Sequence, residues 1–337
     1  MGAMGTGPNP YGITIPFDGV PLHDHRRWFD ELADLGYTDV WSSEVDGTDA
    51  FTPLALAAAW APGLQLGTAI APAFTRGPAV LAQSVAALAE AAPGRFRFGL
   101  GASSPVIVSD WNGIPFDSPY QRVRDTLRFL RSALAGEKVT ADYDTFSVRG
   151  FRLARPVVVS PPLFVAALRP GMLRLAGREG DGAILNWLSA DDVPRAVAEI
   201  GPDKEVVARI FVLPTEDAAA ARAVGRRMIT AYLNVPAYAE FQRWLGRGPR
   251  LQAMWDAWSV GDRKGALAAV TDDVVDELVV HGSPAACREH IARYVLGGVT
   301  LPVLAVTPVD QKLADAIEGL APARGRAGTA GADGAER

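Results

Sequence analysis

Glu44, Asp49 and Asp110 each fall just beyond a short apolar run, where a strand would hand its last residue to a loop. Buried among apolar neighbours, such a carboxyl favours its protonated form and is suited to donate a proton. Glu44 is the best placed of the three, and the competing expectation is a structural ion pair with a neighbouring arginine. Asp49 has the alternative of capping the helix after it. His23 and His25 are two apart and would not share a helical face, while His281 and His290 stand alone. No grouping of His, Asp and Glu has metal-ligand spacing, so no metal site is expected. A nucleophile elbow and a Walker loop are both absent. Gly99-Leu100-Gly101 lacks the third glycine of a dinucleotide fingerprint.

A different chemistry is offered between residues 163 and 186. The apolar run 163–167 is bounded by Pro161-Pro162 and by Arg169-Pro170-Gly171, the signature of a buried strand. Pro170 suits the first turn of a helix, which is predicted over 171–179 with Met172, Leu175 and Ala176 at helical spacing. Gly180 ends it, and a second strand follows at 183–185. Such a strand–helix–strand unit implies parallel strands. Free N–H groups at the helix start would suit a phosphate, with Arg169 adding a full charge. The plain alternative is the corner that any α/β unit requires.

The chain has 337 residues, 49% of them hydrophobic, enough for a large core. A net charge of −5 and the lack of a basic run argue against nucleic acid as a partner. The single cysteine, Cys287, excludes an internal disulfide. No apolar run approaches the ~20 residues of a membrane span, so no membrane partner and a cytoplasmic location are expected. Residues 1–10 read as a disordered leader or cloning remnant, residues 11–320 as one domain, and the Ala/Gly/Arg-rich 321–337 as a disordered tail.

Within that domain strands are predicted at 12–15, 39–42, 64–70, 96–100, 163–167, 183–185, 206–213 and 301–306, with helical segments between them. Eight strands alternating with helices fit a (β/α)8 TIM barrel better than an open sheet. Residues 137–159 suggest an excursion of short strands. Residues 236–276 carry Trp244, Trp255 and Trp258 on helices that no barrel needs, and are expected at the carboxyl face as a lid, or as a packing or dimer surface. Function in such a barrel belongs at the carboxyl ends of the strands. Those ends offer Ser43 and Glu44, Ala69-Ile70-Ala71, Gly101-Ala102-Ser103-Ser104, Ala167-Leu168-Arg169, and Asn186-Trp187. Trp111 and Trp187 are expected to shape a pocket or to pack in the core. A roomy mouth of small and apolar residues with one phosphate corner suits an organic cofactor that performs the chemistry itself.

The runs G-R-F-R-F-G-L-G-A-S-S (94–104), A-A-L-R-P-G-M-L-R-L-A-G-R-E-G-D-G-A-I-L-N (166–186) and G-S-P-A-A-C-R-E-H-I (282–291) resemble the bacterial luciferase-like flavin and deazaflavin oxidoreductases. Residues 41–52 and 66–72 are similar to the actinobacterial subgroup that uses coenzyme F420. The resemblance implies a TIM barrel, often a homodimer, with F420, or alternatively FMN, in its mouth. It implies that Ala69 and Ile70 form a non-prolyl cis bulge behind the cofactor ring, and that Ser43 and Glu44 flank it. Gly101, Ala102 and Ser103 would lie beside the ring. Ala167, Leu168, Arg169, Gly171 and Met172 would form the phosphate corner, with Asn186 next to it. Family members commonly carry glycine at the position of Arg169, and some have an Asp-His pair on the second strand that this chain lacks. Three functions follow: an F420-dependent oxidoreductase acting on a small apolar organic substrate, an FMN-dependent monooxygenase, or an inactive cofactor-binding barrel.

Overall fold

The computed structural model describes residues 10–322, so the expectations for the leader and the tail lie almost wholly outside the described residues. The strands are β1 (Gly12–Ile15), β2 (Asp39–Ser42), β3 (Gln65–Thr68), β4 (Ala71–Pro72), β5 (Phe96–Gly101), β6 (Val139–Asp142), β7 (Ser147–Phe151), β8 (Leu163–Ala166), β9 (Gly182–Asn186), β10 (Glu205–Leu213), β11 (Val280–His281) and β12 (Leu301–Val306). Eight of them close a parallel ring in the order β1-β2-β3-β5-β8-β9-β10-β12, with β12 returning to β1. This is the expected (β/α)8 barrel. The segment read as one strand at 64–70 is broken by a cis peptide bond between Ala69 and Ile70, after which β4 resumes beside β5. Short β11 pairs with the end of β10, beyond the stretch that β9 covers.

Helices α1 (His25–Leu35), α2 (Thr52–Trp60), α3 (Pro78–Ala91), α4 (Pro119–Leu134), α5 (Pro170–Glu179), α6 (Val193–Ile200) and α7 (Ala218–Leu233) surround the ring, with α12 (Pro284–Leu296) and α13 (Leu313–Leu320) closing the circle. Helix α6 was not anticipated; a capping box at Ser189 and Asp192 introduces it. The excursion after α4 is the antiparallel pair β6–β7. Residues 236–276 fold mostly into α8 (Pro236–Trp244), α9 (Gly248–Ser259) and α10 (Arg263–Ala269), with α11 (Asp272–Leu278) running to the start of β11. No helix among the described residues is long and apolar enough to cross a membrane.

What fills the ring decides where a ligand can sit. Inner side chains of a parallel barrel stack in layers of four drawn from alternate strands. Following the pairing register round the ring, one layer is Gly12, Gly67, Phe164 and Val207, and the next is Trp41, Gly99, Ile184 and Val303. Large rings occupy the space that glycines leave. A Cβ on Gly67 would overlap the Trp41 indole, and one on Gly182 would overlap the Phe164 ring. Above them lies a layer of Thr14, Ala69, Ala166 and Arg209, and at the rim Ser43, Gly101, Asn186 and Ala305. Below, Arg97 bridges Asp39 at 3.1 Å and Glu205 at 3.1 Å, closing the amino end.

The end of β1 is anchored by His25. Its Nε2 accepts the Phe17 N–H at 2.9 Å and its Nδ1 lies 3.0 Å from the Pro21 carbonyl, which fixes the neutral tautomer with its proton on Nδ1. Burial holds its pKa below the ordinary 6.5, against the raising effects of the Pro21 carbonyl and Asp24. A depressed histidine pKa means the unfolded chain binds more protons, so this stabilisation is complete above about pH 6.5 and is lost as pH falls through the folded value. The denaturant midpoint should therefore drop between about pH 7.5 and pH 5.5, and drop less in His25→Gln, as urea titrations at the two pH values would measure.

Candidate functional site

The strand ends that the sequence nominated do converge on one mouth. Ala69 and Ile70 stand at the end of β3, where the Ser42 carbonyl accepts the Ala69 N–H at 2.6 Å and the Ile70 carbonyl accepts the Glu44 N–H at 3.1 Å. Thr68 fixes the neighbouring strand through its hydroxyl, which donates to the Gly99 carbonyl (3.0 Å) and accepts the Gly99 N–H (2.8 Å). A Cβ on Gly101 would lie 3.0 Å from Ile70 Cγ1 and 3.1 Å from Ala166 Cβ. Gly101, Ile70, Ala69 and Ala166 thus form one apolar wall nearly free of side chains. Ser103 follows in the left-handed region, at φ 67°, turning the chain from Ala102 into the π-turn Val106–Trp111.

Glu44 takes the second of the roles expected for it. Arg76 Nη1 lies 2.8 Å from its Oε1 and 2.6 Å from its Oε2, the Thr75 hydroxyl donates to it at 3.0 Å, and the Ala50 N–H at 3.1 Å. A carboxylate that already accepts from three partners is a strut for the loops after β2 and β4, and the expected isolated acid in an apolar mouth is not present. Asp49 accepts the N–H groups of Phe51 (2.8 Å) and Thr52 (3.0 Å) at the start of α2. Burial pushes its carboxyl up, but those bonds and Arg76 outweigh it and hold the pKa low. Glu44, Asp49, Arg76, Ile107 and Trp111 border a cavity of about 620 Å³ beside the mouth, of small-molecule size. Trp111, half-exposed, shapes that cavity. Trp187 instead packs in the core, buried and stacked on Phe211 with ring centroids 4.2 Å apart.

At the corner before α5, Arg169 is exposed and Ala167 and Leu168 precede it as expected. The Met172 N–H, however, turns back onto the Arg169 carbonyl at 3.0 Å. Gly171 therefore carries the free N–H of this corner, and Met172 can offer only its side chain. Asn186 reaches the rim from β9, where its Nδ2 donates to the Tyr238 hydroxyl at 3.3 Å while its Oδ1 is buried without a partner. Tyr238 belongs to α8, and the Gln242 side chain of the same helix donates to the Trp187 carbonyl at 2.6 Å. Buried Arg247 ties this region down by bonding Asp192 (2.6 Å), Glu277 (2.9 Å) and Ser189 (2.8 Å). The helices at 236–276 thus sit against the carboxyl end of β9.

Two mouth residues escaped the sequence reading. Arg209 and Thr14 occupy the layer just below the rim, and Arg209 Nε and Thr14 Oγ1 are both buried without hydrogen-bond partners. Arg209 had a visible signal: it interrupts the otherwise apolar run Val206–Leu213, on a strand with both faces covered. Thr14 had none, since threonine is at home in any strand.

Among the described residues no three His, Cys, Asp or Glu side chains gather as metal ligands. The molecule is a (β/α)8 barrel whose floor is closed by packed rings and whose mouth pairs an apolar wall with orphaned polar atoms, the form of a site that takes an organic cofactor. The chain belongs to the luciferase-like monooxygenase family, which it matches over residues 4–301. It is 29% identical over 323 residues to the 5,10-methylenetetrahydromethanopterin reductase of Methanolobus tindarius, covering 91% of this chain and 97% of that one. It is 28% identical over 264 residues to the F420-dependent hydroxymycolic acid dehydrogenase of Mycobacterium tuberculosis, covering 72% and 73%. The solved coenzyme F420-dependent tetrahydromethanopterin reductase of Methanopyrus kandleri shares the fold, with a TM-score of 0.76 at 20% identity over 93% of this chain and 97% of that one.

The strut at Glu44 can be tested by a double-mutant cycle. Glu44→Gln and Arg76→Gln should each cost about 1–2 kcal/mol of stability, and the double variant little more than either alone, read as urea-denaturation midpoints.

Proposed function

We propose that the protein is an F420-dependent oxidoreductase that moves a hydride between the deazaflavin and a small organic substrate with an apolar body. The carrying observation is the apolar wall. Ala69, Ala166 and Gly101 present almost no side chain, Ile70 stands behind them, and nothing on that wall can exchange a proton. Relatives of similar length whose names include F420 support the choice of coenzyme. When bound, the coenzyme supplies the hydride chemistry at carbon 5 of its ring. The chain's own residues bind and orient it. Ile70, Gly101 and Ala166 offer a flat apolar surface, and Ser43, Ala102 and Ser103 border it. Ala167, Leu168, Arg169 and Gly171 offer the anionic tail a helix start, with one free N–H and a guanidinium. Met172 backs that corner with its side chain, and Asn186 flanks it from β9. Glu44 positions the loops around the ring instead of donating a proton. The orphaned polar atoms of Thr14 and Asn186 fit a site that is complete only with a ligand in it.

F420 should bind at micromolar concentration or tighter, about −8 kcal/mol or better, with FMN at least about tenfold weaker, in side-by-side titrations. Protein that purifies with FMN, or consumes oxygen with reduced FMN, would make the monooxygenase reading correct. Arg169→Ala should weaken F420 binding by an amount that shrinks as salt rises, because an exposed charge is screened over about 8–10 Å. The Gly171 N–H survives that change, so binding should persist. Unchanged affinity at low salt would remove Arg169 from the tail site.

A further inference from the structure

Arg209 is placed in the mouth with nothing to neutralise it. Its strand partners on either side are Asn186 on β9 and Val303 on β12, and it shares an inner face with Val207, which packs among Trp41, Phe164 and Ile184. No carboxylate among the described residues lies within ion-pairing distance of it, whereas Arg97, three layers below, holds two. The side chain is part-buried, its Nε has no hydrogen-bond partner, and the Phe211 ring lies 4.8 Å from the guanidinium carbon, with the Tyr238 hydroxyl also in its electrostatic reach. Other part-buried arginines without acidic partners spend their donors on carbonyls: Arg95 on Ala61 and Leu64, Arg122 on Ala73 and Thr145. Arg209 does neither.

Its place in the ring gives this meaning. In the order β1-β2-β3-β5-β8-β9-β10-β12, strand β10 is four places from β3 in both directions. Arg209 therefore stands across the barrel from Ala69, in the same layer, facing whatever lies on the Ala69–Ile70 wall. Beside it, one layer higher, Asn186 Oδ1 is a buried acceptor without a donor, and Tyr238 stands over both. A guanidinium edge next to a lone carbonyl acceptor is complementary to an anion with a hydrogen-bond donor alongside it.

We propose that Arg209 and Asn186 form a recognition wall for the substrate, which is an organic acid: an apolar body carrying a carboxylate directed to Arg209 and, beside it, a hydrogen-bond donor directed to Asn186 Oδ1, while its reacting end faces the Ala69–Ile70 wall. This rests on the coenzyme occupying that apolar wall. It narrows the substrate from any small organic molecule to one with a fixed charge at one end.

The test uses benzoate and its neutral counterpart benzamide, titrated into the protein with and without saturating F420. Benzoate should bind at least about tenfold more tightly than benzamide. Arg209→Gln should abolish that preference while F420 affinity stays within about threefold, and Arg209→Lys should retain part of it. Because no ion pair is lost, the thermal midpoint of Arg209→Gln should be unchanged or raised. Equal binding of the two probes overturns the proposal. So does an Arg209→Gln variant that loses F420 affinity and keeps the benzoate preference, since the anion held would then be the coenzyme's own. A large drop in midpoint for both variants also overturns it, by making Arg209 structural. If the wild type binds no F420 yet prefers benzoate through Arg209, the coenzyme assignment fails and the anion wall stands.

Discussion

The rest of the structure depends on how the barrel's interior is filled. Trp41, Phe164 and Ile184 are too large to share a ring with side chains of ordinary size, and they fit because Gly67, Gly182 and Gly99 stand where their bulk projects. Interiors are packed as densely as organic crystals, so such pairs must match closely. Their consequence is positional. With the lower layers solid, open space begins only at the layer of Thr14, Ala69, Ala166 and Arg209. Small residues there carry the cavity upward to Gly101 and Asn186. The same glycines that admit the rings below therefore set the depth at which a ligand can rest.

Charge is distributed along the barrel axis by the same logic. At the amino end Arg97 meets Asp39 and Glu205, and burial pushes the Asp39 carboxyl up although Thr38 and Arg97 draw it down. That cluster is internally matched. Around the mouth, Glu44 is matched by Arg76, and Asp192 and Glu277 by Arg247. A buried charge without a partner costs more than a paired one. Arg209 departs from this pattern: it is part-buried, with an unpartnered Nε, at the level where the barrel begins to open.

The barrel was readable because eight apolar runs with strand-like boundaries alternate with amphipathic segments, and tight parallel connections leave few topologies. The α5 corner was readable from Pro170 and Gly171. Other features depended on contacts that local pattern does not encode. The break at Ala69–Ile70 interrupts a run that looks continuous as residues 64–70, and it came from family resemblance. Helix α6 is only eight residues long, so its period is too brief to stand out. Glu44 was correctly placed at a strand end, but its partner lies 32 residues along the chain, and only the fold chooses between a free acid and a pair. Arg209 was in plain view within an apolar strand. Its meaning needed the ring, because inward and outward residues of a doubly covered strand look alike until the layers are known.

The helices at 236–276 brace the rim at the carboxyl end of β9, which a bare barrel would leave unsupported. Tyr238 reaches Asn186, and Gln242 holds the carbonyl of Trp187, a residue kept at φ 54°. Arg247 fastens the loop after β9 to the end of α11 through Ser189, Asp192 and Glu277. Both sets of bonds converge on residues 186–192, the segment that carries the acceptor beside Arg209. A loop of that kind would otherwise move independently of the barrel. β9 pairing already sets Asn186 beside Arg209 of β10, and the bonds from Tyr238 and Arg247 fix the Asn186 side chain and the end of the loop that follows. The insertion thus braces the polar half of the mouth, while the glycines and alanines of β3, β5 and β8 line the apolar half.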